Sequence, residues 1–186
     1  MASHARRKSK SNTTPPHWPV RLQNGRIARI RAIETADAQR EHKLLSRLSP
    51  ETRAYRFLGL IKEANADVAR ELTDVDPTRE VVLGAFADED GRETEIGVAR
   101  YLASEDGSRC DCTVTVDPAW QTLGVGRELM HRLIDIARAR GICRMYAADA
   151  ARCKGAHTLA ARLGFHARPD PEDPVVTTFE LMLDEP

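Results

Sequence analysis

The chain has no apolar run approaching the roughly 18–20 residues that a membrane-spanning helix needs, so no bilayer span is expected. Basic residues near the start are not followed by an apolar segment, unlike a secretory signal, and the cytoplasm is the expected compartment. Cysteine is sparse: Cys110, Cys112, Cys143 and Cys153 are the four in 186 residues. A two-disulfide framework belongs to smaller, loop-rich chains, so reduced thiols are expected. Cys110 and Cys112 lack the two to four intervening residues of the usual zinc pairs, which makes buried packing residues the expectation and metal ligands not. Internal repeats are missing too. The remainder is ordinary for a globular protein, with 41% hydrophobic and 30% charged residues. A chain of this length is most simply one domain, able to bury about 70% of its unfolded surface.

Acid is absent from one end. Residues 1–31 hold eight Lys or Arg and no Asp or Glu, while the rest holds 28 acidic against 20 basic side chains, a net of −8. Ser11-Asn12-Thr13-Thr14-Pro15-Pro16 cannot bury enough apolar surface to order itself. The expectation is a flexible basic tail over residues 1–24 followed by one domain over 25–186. Arg6-Arg7-Lys8-Ser9-Lys10 fits either a nucleic-acid patch or a solvated tail; the solvated tail is the simpler reading, and no nucleic-acid partner is expected.

Periodicity then orders the elements. Arg26–Ile33 alternates charged and aliphatic residues as a half-buried strand does. Thr35 is placed to cap a helix over Ala36–Leu48, with Leu44, Leu45 and Leu48 on its apolar stripe. Ser49-Pro50-Glu51 opens another helix, to about Phe57, and a third runs from about Asn65 to Thr73. Val81–Phe86 reads as a buried strand, Asp90-Gly91 as a hairpin turn, Glu95–Leu102 as the returning strand and Arg109–Val116 as its neighbour after Asp106-Gly107. Gly124–Arg140 is a long amphipathic helix ended by Gly141. Ile142–Ala147, a helix from Lys154 to Leu163 stopped by Gly164, and Val175–Leu183 complete the order. The fold class is α+β, an antiparallel meander feeding a β-α-β-α-β half.

The stretch that carries chemistry runs from Val114 to Arg127: strand, Asp117-Pro118 turn, then two glycines at the mouth of the longest helix. A helix N-terminus exposes unpaired N–H groups and partial positive charge, which makes an anion site. Gly124 and Gly126 let backbone approach a diphosphate unobstructed. A P-loop needs Lys-Ser/Thr after its second glycine, whereas Gly126 is followed by Arg127-Glu128. A dinucleotide fingerprint needs three glycines and a downstream acid. Taken alone, the pair fits either a phosphate site or tight helix–strand packing.

Gln121-Thr122-Leu123-Gly124-Val125-Gly126 resembles the acetyl-CoA signature Gln/Arg-x-x-Gly-x-Gly/Ala of the GNAT N-acetyltransferase superfamily. The element order from Ile27 to about Leu183 matches, as do Arg138–Ile142 and Ala161-Arg162-Leu163-Gly164-Phe165. Ser49–Phe57 further resembles a bacterial subgroup containing protein-lysine acetyltransferases, some fused to a large acyl-CoA-synthetase-like part that this chain lacks. The resemblance implies a mixed, mostly antiparallel sheet with helices on both faces. It implies acetyl-CoA as cosubstrate on Val114, Val116 and Gln121–Arg127, Gln121, Thr122, Leu123, Gly124, Val125, Gly126 and Arg127 forming the turn. No metal is implied. The cofactor would lie between the strand ending at Val116 and the strand from Ile142.

Direct transfer to an amine needs a base and a polarised carbonyl. In related lysine acetyltransferases a Glu on the strand before the signature resembles the base, and Asp111 takes that place here. Asp111, Thr113 and Thr115 share one strand face and Cys110, Cys112 and Val114 the other. A perturbed acid serving as base is one reading of Asp111 and an edge-facing or paired structural carboxylate the other. Two departures stand out: Ala160 replaces the family's Tyr acid, and Cys153 its Asn. His157 fits an acid or a surface histidine. The expected acceptor is a primary amine, on a protein lysine or a small molecule. The alternative is a non-catalytic acetyl-CoA sensor. Monomer and homodimer both fit.

Overall fold

The computed structural model describes residues 17–49, 52, 65–150, 153–170, 173 and 175–183. Its strands are β1 (His17–Arg21), β2 (Ile27–Ala32), β3 (Glu80–Glu89), β4 (Arg92–Ala103), β5 (Arg109–Val116), β6 (Arg144–Ala150), β7 (His166–Pro169) and β8 (Val176–Met182). Its helices are α1 (Ala38–Arg47), α2 (Ala66–Thr73), α3 (Val125–Ala139) and α4 (Lys154–Arg162). One sheet runs in the order β1-β2-β3-β4-β5-β6-β8-β7. Every neighbouring pair is antiparallel except β5 with β6. The expected α+β class holds.

The alternation of β3 shows that the sheet is covered on both faces. Val81, Leu83, Ala85 and Ala87 join the cluster that includes α3, whereas Val82 and Phe86 join Ile33, Val98 and Leu44 of α1. Side chains alternate across a strand, so α3 and α1 lie on opposite sides. Helix α3 buries Val125, Leu129, Met130, Leu133, Ile134 and Ala137, the apolar face that its 3.6-residue period requires. Gly97 lets it seat closely: a Cβ there would lie 3.0 Å from the Thr115 carbonyl oxygen and 3.2 Å from Val125.

The tail expectation fails from His17 onward. β1 pairs with β2 from His17↔Arg31 to Arg21↔Ile27, and Val20 and Leu22 are buried in the main core. Trp18, Val20 and Leu22 alternate at period two, but Pro19 and the basic flank hide the signal. Pro is tolerated because β1 is an edge strand. β7 was likewise not expected: its four residues are all exposed and end in Pro169. Residues 1–16 lie outside the described residues, as does most of the helix expected from Ser49-Pro50-Glu51 to Phe57. Within that stretch Thr52 is helical, and its N–H donates to Ser49 Oγ at 3.1 Å, as to an N-cap.

Helix α1 begins later than expected and Thr35 does not cap it. A short 3-10 turn over Thr35–Asp37 precedes it, closed by reciprocal side-chain bonds of Glu34 and Asp37. Asp37 is almost wholly buried. Arg31 donates to both its oxygens, at 2.6 and 2.9 Å, and Arg40 adds a third bond at 3.0 Å. Burial pushes the Asp37 carboxyl up, but the Arg31 bonds, the Glu34 N–H and Arg40 outweigh it and hold the group below the usual carboxylate range.

A slot through the sheet as candidate active site

Strands β5 and β6 pair over three positions only: Arg109↔Arg144, Cys110↔Met145 and Asp111↔Tyr146. Beyond these, β5 stays paired to β4 as far as Val116 and β6 to β8 as far as Ala150. The sheet therefore splits where the two strands diverge. The slot holds about 650 Å³. Met130, Leu159, Ala160 and Leu163 line it from the α3–α4 side, and Asp111, Thr113 and Tyr146 from the side of α1. It thus reaches both faces of the sheet. The edge of β5 from Cys112 to Val116 has no β6 partner, and such backbone groups suit a ligand with amides of its own.

At the mouth of the slot the chain makes a tight, heavily fastened turn. The Asp117 carboxylate is buried, accepts from the Ala119 N–H at 2.9 Å and is ion-paired to Arg47 of α1. Trp120 is buried beneath the Arg26 guanidinium, 4.0 Å above its ring. The Gln23 N–H donates to the Leu123 carbonyl at 3.1 Å, so the unexpected β1–β2 hairpin also holds the turn. Thr122 and Gly124 both adopt positive φ, 62° and 95°, the second being the glycine's reason for being there. Gly124 precedes α3 directly as its N-cap, and having no side chain it makes no capping bond. A helix N-terminus carries N–H groups without intrahelical partners and a partial positive charge.

The structure gathers the residues read from the sequence. Gln121, Thr122, Leu123, Gly124, Val125, Gly126 and Arg127 form this one turn, and the Gln121 side chain donates to the Val116 carbonyl at 3.3 Å. A side chain at Gly126 would meet Leu159 and Val116 at 3.4 Å and Val114 at 3.9 Å. The Val125 side chain belongs to the core, which leaves its backbone for a ligand. Arg127 is half exposed and pairs with Glu128 at 2.9 Å.

Asp111 lies on the strand face expected, with Cys110 and Cys112 buried on the other. It is exposed. Its neighbour across the last β5–β6 pair is Tyr146, whose hydroxyl donates to Glu180 Oε1 at 3.1 Å. Tyr146 escaped sequence reading because it becomes a site residue only through that register. Two buried carboxylates also escaped, Glu41 of α1 and Glu95 of β4. Glu41 was legible in principle, as an acid on the stripe that continues through Leu44, Leu45 and Leu48.

The remaining candidates divide clearly. Ala160 and Cys153, which stand where the resemblance expects Tyr and Asn, both line the slot. His157 packs its ring edge-on against Phe179 at 5.1 Å, and its Nε2 is buried without a hydrogen-bond partner among the described residues. Burial pushes the Cys110 thiol up to about 12, raises Cys112 further and raises Cys153 as well. None is poised as a thiolate.

A family model described as the acetyltransferase (GNAT) family matches residues 32–165. The chain belongs to that family, and with it is an acetyl-CoA-dependent N-acetyltransferase. Acetyltransferase PA5475 of Pseudomonas aeruginosa is 38% identical over 167 residues, 90% of each chain. The GNAT domain of S. lividans PAT shares the fold, with a TM-score of 0.78 and 24% identity over 89% of this chain and 96% of that one. The structure of yncA from Salmonella typhimurium, solved with its cofactor acetyl-CoA, gives a TM-score of 0.68 and 26% identity, covering 84% and 94%. The residues present here fit that cosubstrate: only the Gln23 side-chain nitrogen, at 4.0 Å, near a Cβ placed at Gly124, no side chain at Gly126, and a largely apolar slot behind them.

Proposed function

We propose that acetyl-CoA and a primary amine meet inside the slot, the cosubstrate from the α3–α4 side and the amine from the opposite face. The observation that supports this reading most is the divergence of β5 from β6 directly after the Asp111–Tyr146 pair. The uncapped N-terminus of α3 supplies N–H donors and positive potential for the diphosphate. Val114 and Val116 offer the pantetheine arm an unpaired backbone edge beside that turn. Bound there, acetyl-CoA supplies a thioester that an unprotonated amine attacks, forming the C–N bond and releasing CoA as the thiol.

Asp111 is the base in this scheme. It sits at the apex of the split and is exposed on the face from which the amine arrives. It accepts the proton lost by the ammonium, through one water where its short side chain falls short. Acceptors are protein lysines or small-molecule amines, and the acidic balance of the folded part attracts cations of either kind. The protein acts in the cytoplasm. The test is release of free thiol from acetyl-CoA over a panel of amines. Amine-dependent release that Asp111→Asn abolishes while CoA binding persists is expected; no release with any amine would contradict the reading.

A further inference from the structure

Behind Asp111, along the same strands, lies a second cavity of about 470 Å³, walled by Asp106, Ser108, Arg109, Cys143, Arg144 and Tyr146. Its position follows from register. Asp111 pairs with Tyr146 and Arg109 with Arg144, while Cys110 and Met145 between them are buried on the α3 side. Both charged rows therefore share the face from which the amine is proposed to arrive. Tyr146 lines this cavity and the slot alike. The two therefore adjoin at Tyr146.

At the slot end, Asp111 and Glu180 flank Tyr146, Glu180 through its bond to the Tyr146 hydroxyl and by cross-strand pairing. Two residues further, about 7 Å along the strand, stand Arg109 and Arg144. Arg144 reaches Glu180 at 3.9 Å, and Arg168 of β7 reaches the other oxygen of the same carboxylate at 3.9 Å. The Arg109 guanidinium bonds no carboxylate among the described residues. Asp106, the other acid in the wall, is committed elsewhere: it accepts from Ser104 Oγ at 2.6 Å, from the Ser108 N–H at 3.0 Å and from Ser108 Oγ at 2.9 Å. Those bonds close the β4–β5 turn and hold its carboxyl down at about 2. Exposed Leu102 pairs beside Asp111 and exposed Met182 beside Arg144, giving the stretch between the two charged ends apolar flanks.

We infer that the acceptor is a small amine bearing an anionic group, a carboxylate or its like, separated from the amine by a short aliphatic spacer. This rests on the slot being the acetyl-transfer site. The ammonium end lies against Asp111, Tyr146 and Glu180, and the anionic end lies on Arg109 and Arg144, whose planar guanidinium forks match a carboxylate. The cavity has the volume of an ordinary small-ligand pocket.

The test is titration of the CoA-loaded protein with δ-aminovalerate and with its uncharged isostere δ-aminovaleramide. CoA in place of acetyl-CoA prevents turnover. The parent should bind the carboxylate at least tenfold tighter than the amide, and added salt should shrink the difference. Arg109→Gln and Arg144→Gln should each cut the carboxylate's affinity about tenfold and leave the amide's unchanged, with Arg144→Lys intermediate. Both side chains are exposed, so melting temperatures should stay near the parent's. Equal binding of the two probes, binding of neither, or a preference that survives both substitutions would overturn the inference. So would strong binding confined to lysine peptides. Failure of CoA itself to bind is a separate outcome, and it would remove the acetyl-transfer reading along with this one.

Discussion

Helices α3 and α4 stand on the same slot and are built differently. Six residues of α3 are buried, including Leu129 and Leu133 without any exposure, whereas α4 buries none. The strands repeat the contrast: β3 and β4 pair over ten positions, β5 and β6 over three. One half of the sheet is closed by protein against protein, with a charged network of Arg31, Asp37, Arg40 and Glu93 to tie α1 down. The other half turns the apolar side of α4, through Ala156, Leu159, Ala160 and Leu163, toward the slot. Burial is concentrated in the first half and the open slot in the second.

The largest separation of the two halves should come from Asp111→Asn. Turnover should fall about 10²–10⁴-fold, the usual contribution of an acid–base group, while the melting temperature and CoA affinity stay at parent values. A variant that loses stability instead would place Asp111 with the structural half. Next, Leu129→Ala in α3 should cost about 3 kcal/mol in urea unfolding. Leu159→Ala in α4 should cost about 1 kcal/mol, because the side chain is only partly buried, and should weaken CoA binding. Equal costs would erase the distinction between the helices.

Asp37→Asn probes the closed half through pH. The folded-state carboxyl is held below its ordinary value, so its stabilisation is present above the unfolded-chain value near 3.9 and is lost as pH falls through the folded value. The variant should be less stable by about 2 kcal/mol at pH 7, and the gap should close in melts run below about pH 3.9. A gap that stays constant with pH would mean the charge is not what holds α1. The smallest effect concerns thiols. A thiol reagent should label the partly exposed Cys143 and Cys153 before the buried Cys110 and Cys112. Added CoA should slow Cys153, on the slot wall, a few-fold and leave Cys143 alone. Equal protection of both would place the ligand elsewhere.

The closed half was the more legible in the sequence, because buried pattern repeats at the period of the element. The apolar stripe of α3, the 81–86 run and the hairpin at Asp90-Gly91 each announced themselves. So did the signature turn, since glycine at Gly124 serves a backbone angle that other residues resist. What escaped had a masked signal or none: the alternation of β1 is hidden by Pro19 and its basic flank, and β7 is four residues long and exposed throughout. The slot lay between these cases. Parity placed Asp111 opposite Cys110 and Cys112, but only the β5–β6 register set Tyr146 beside it and Arg109 beside Arg144. That register is a property of two strands joined across a helix, and no local pattern encodes it.

The central claim is that the turn at Gly124–Gly126 holds the diphosphate and so seats acetyl-CoA in the slot. Calorimetric titration of CoA into Gly126→Glu tests it most directly. The new side chain would meet Val116 and Leu159 and set a carboxylate at the uncapped helix end. The account predicts at least a hundredfold loss of affinity in a protein whose circular dichroism remains that of the parent. A variant that binds CoA as tightly as the parent would contradict it.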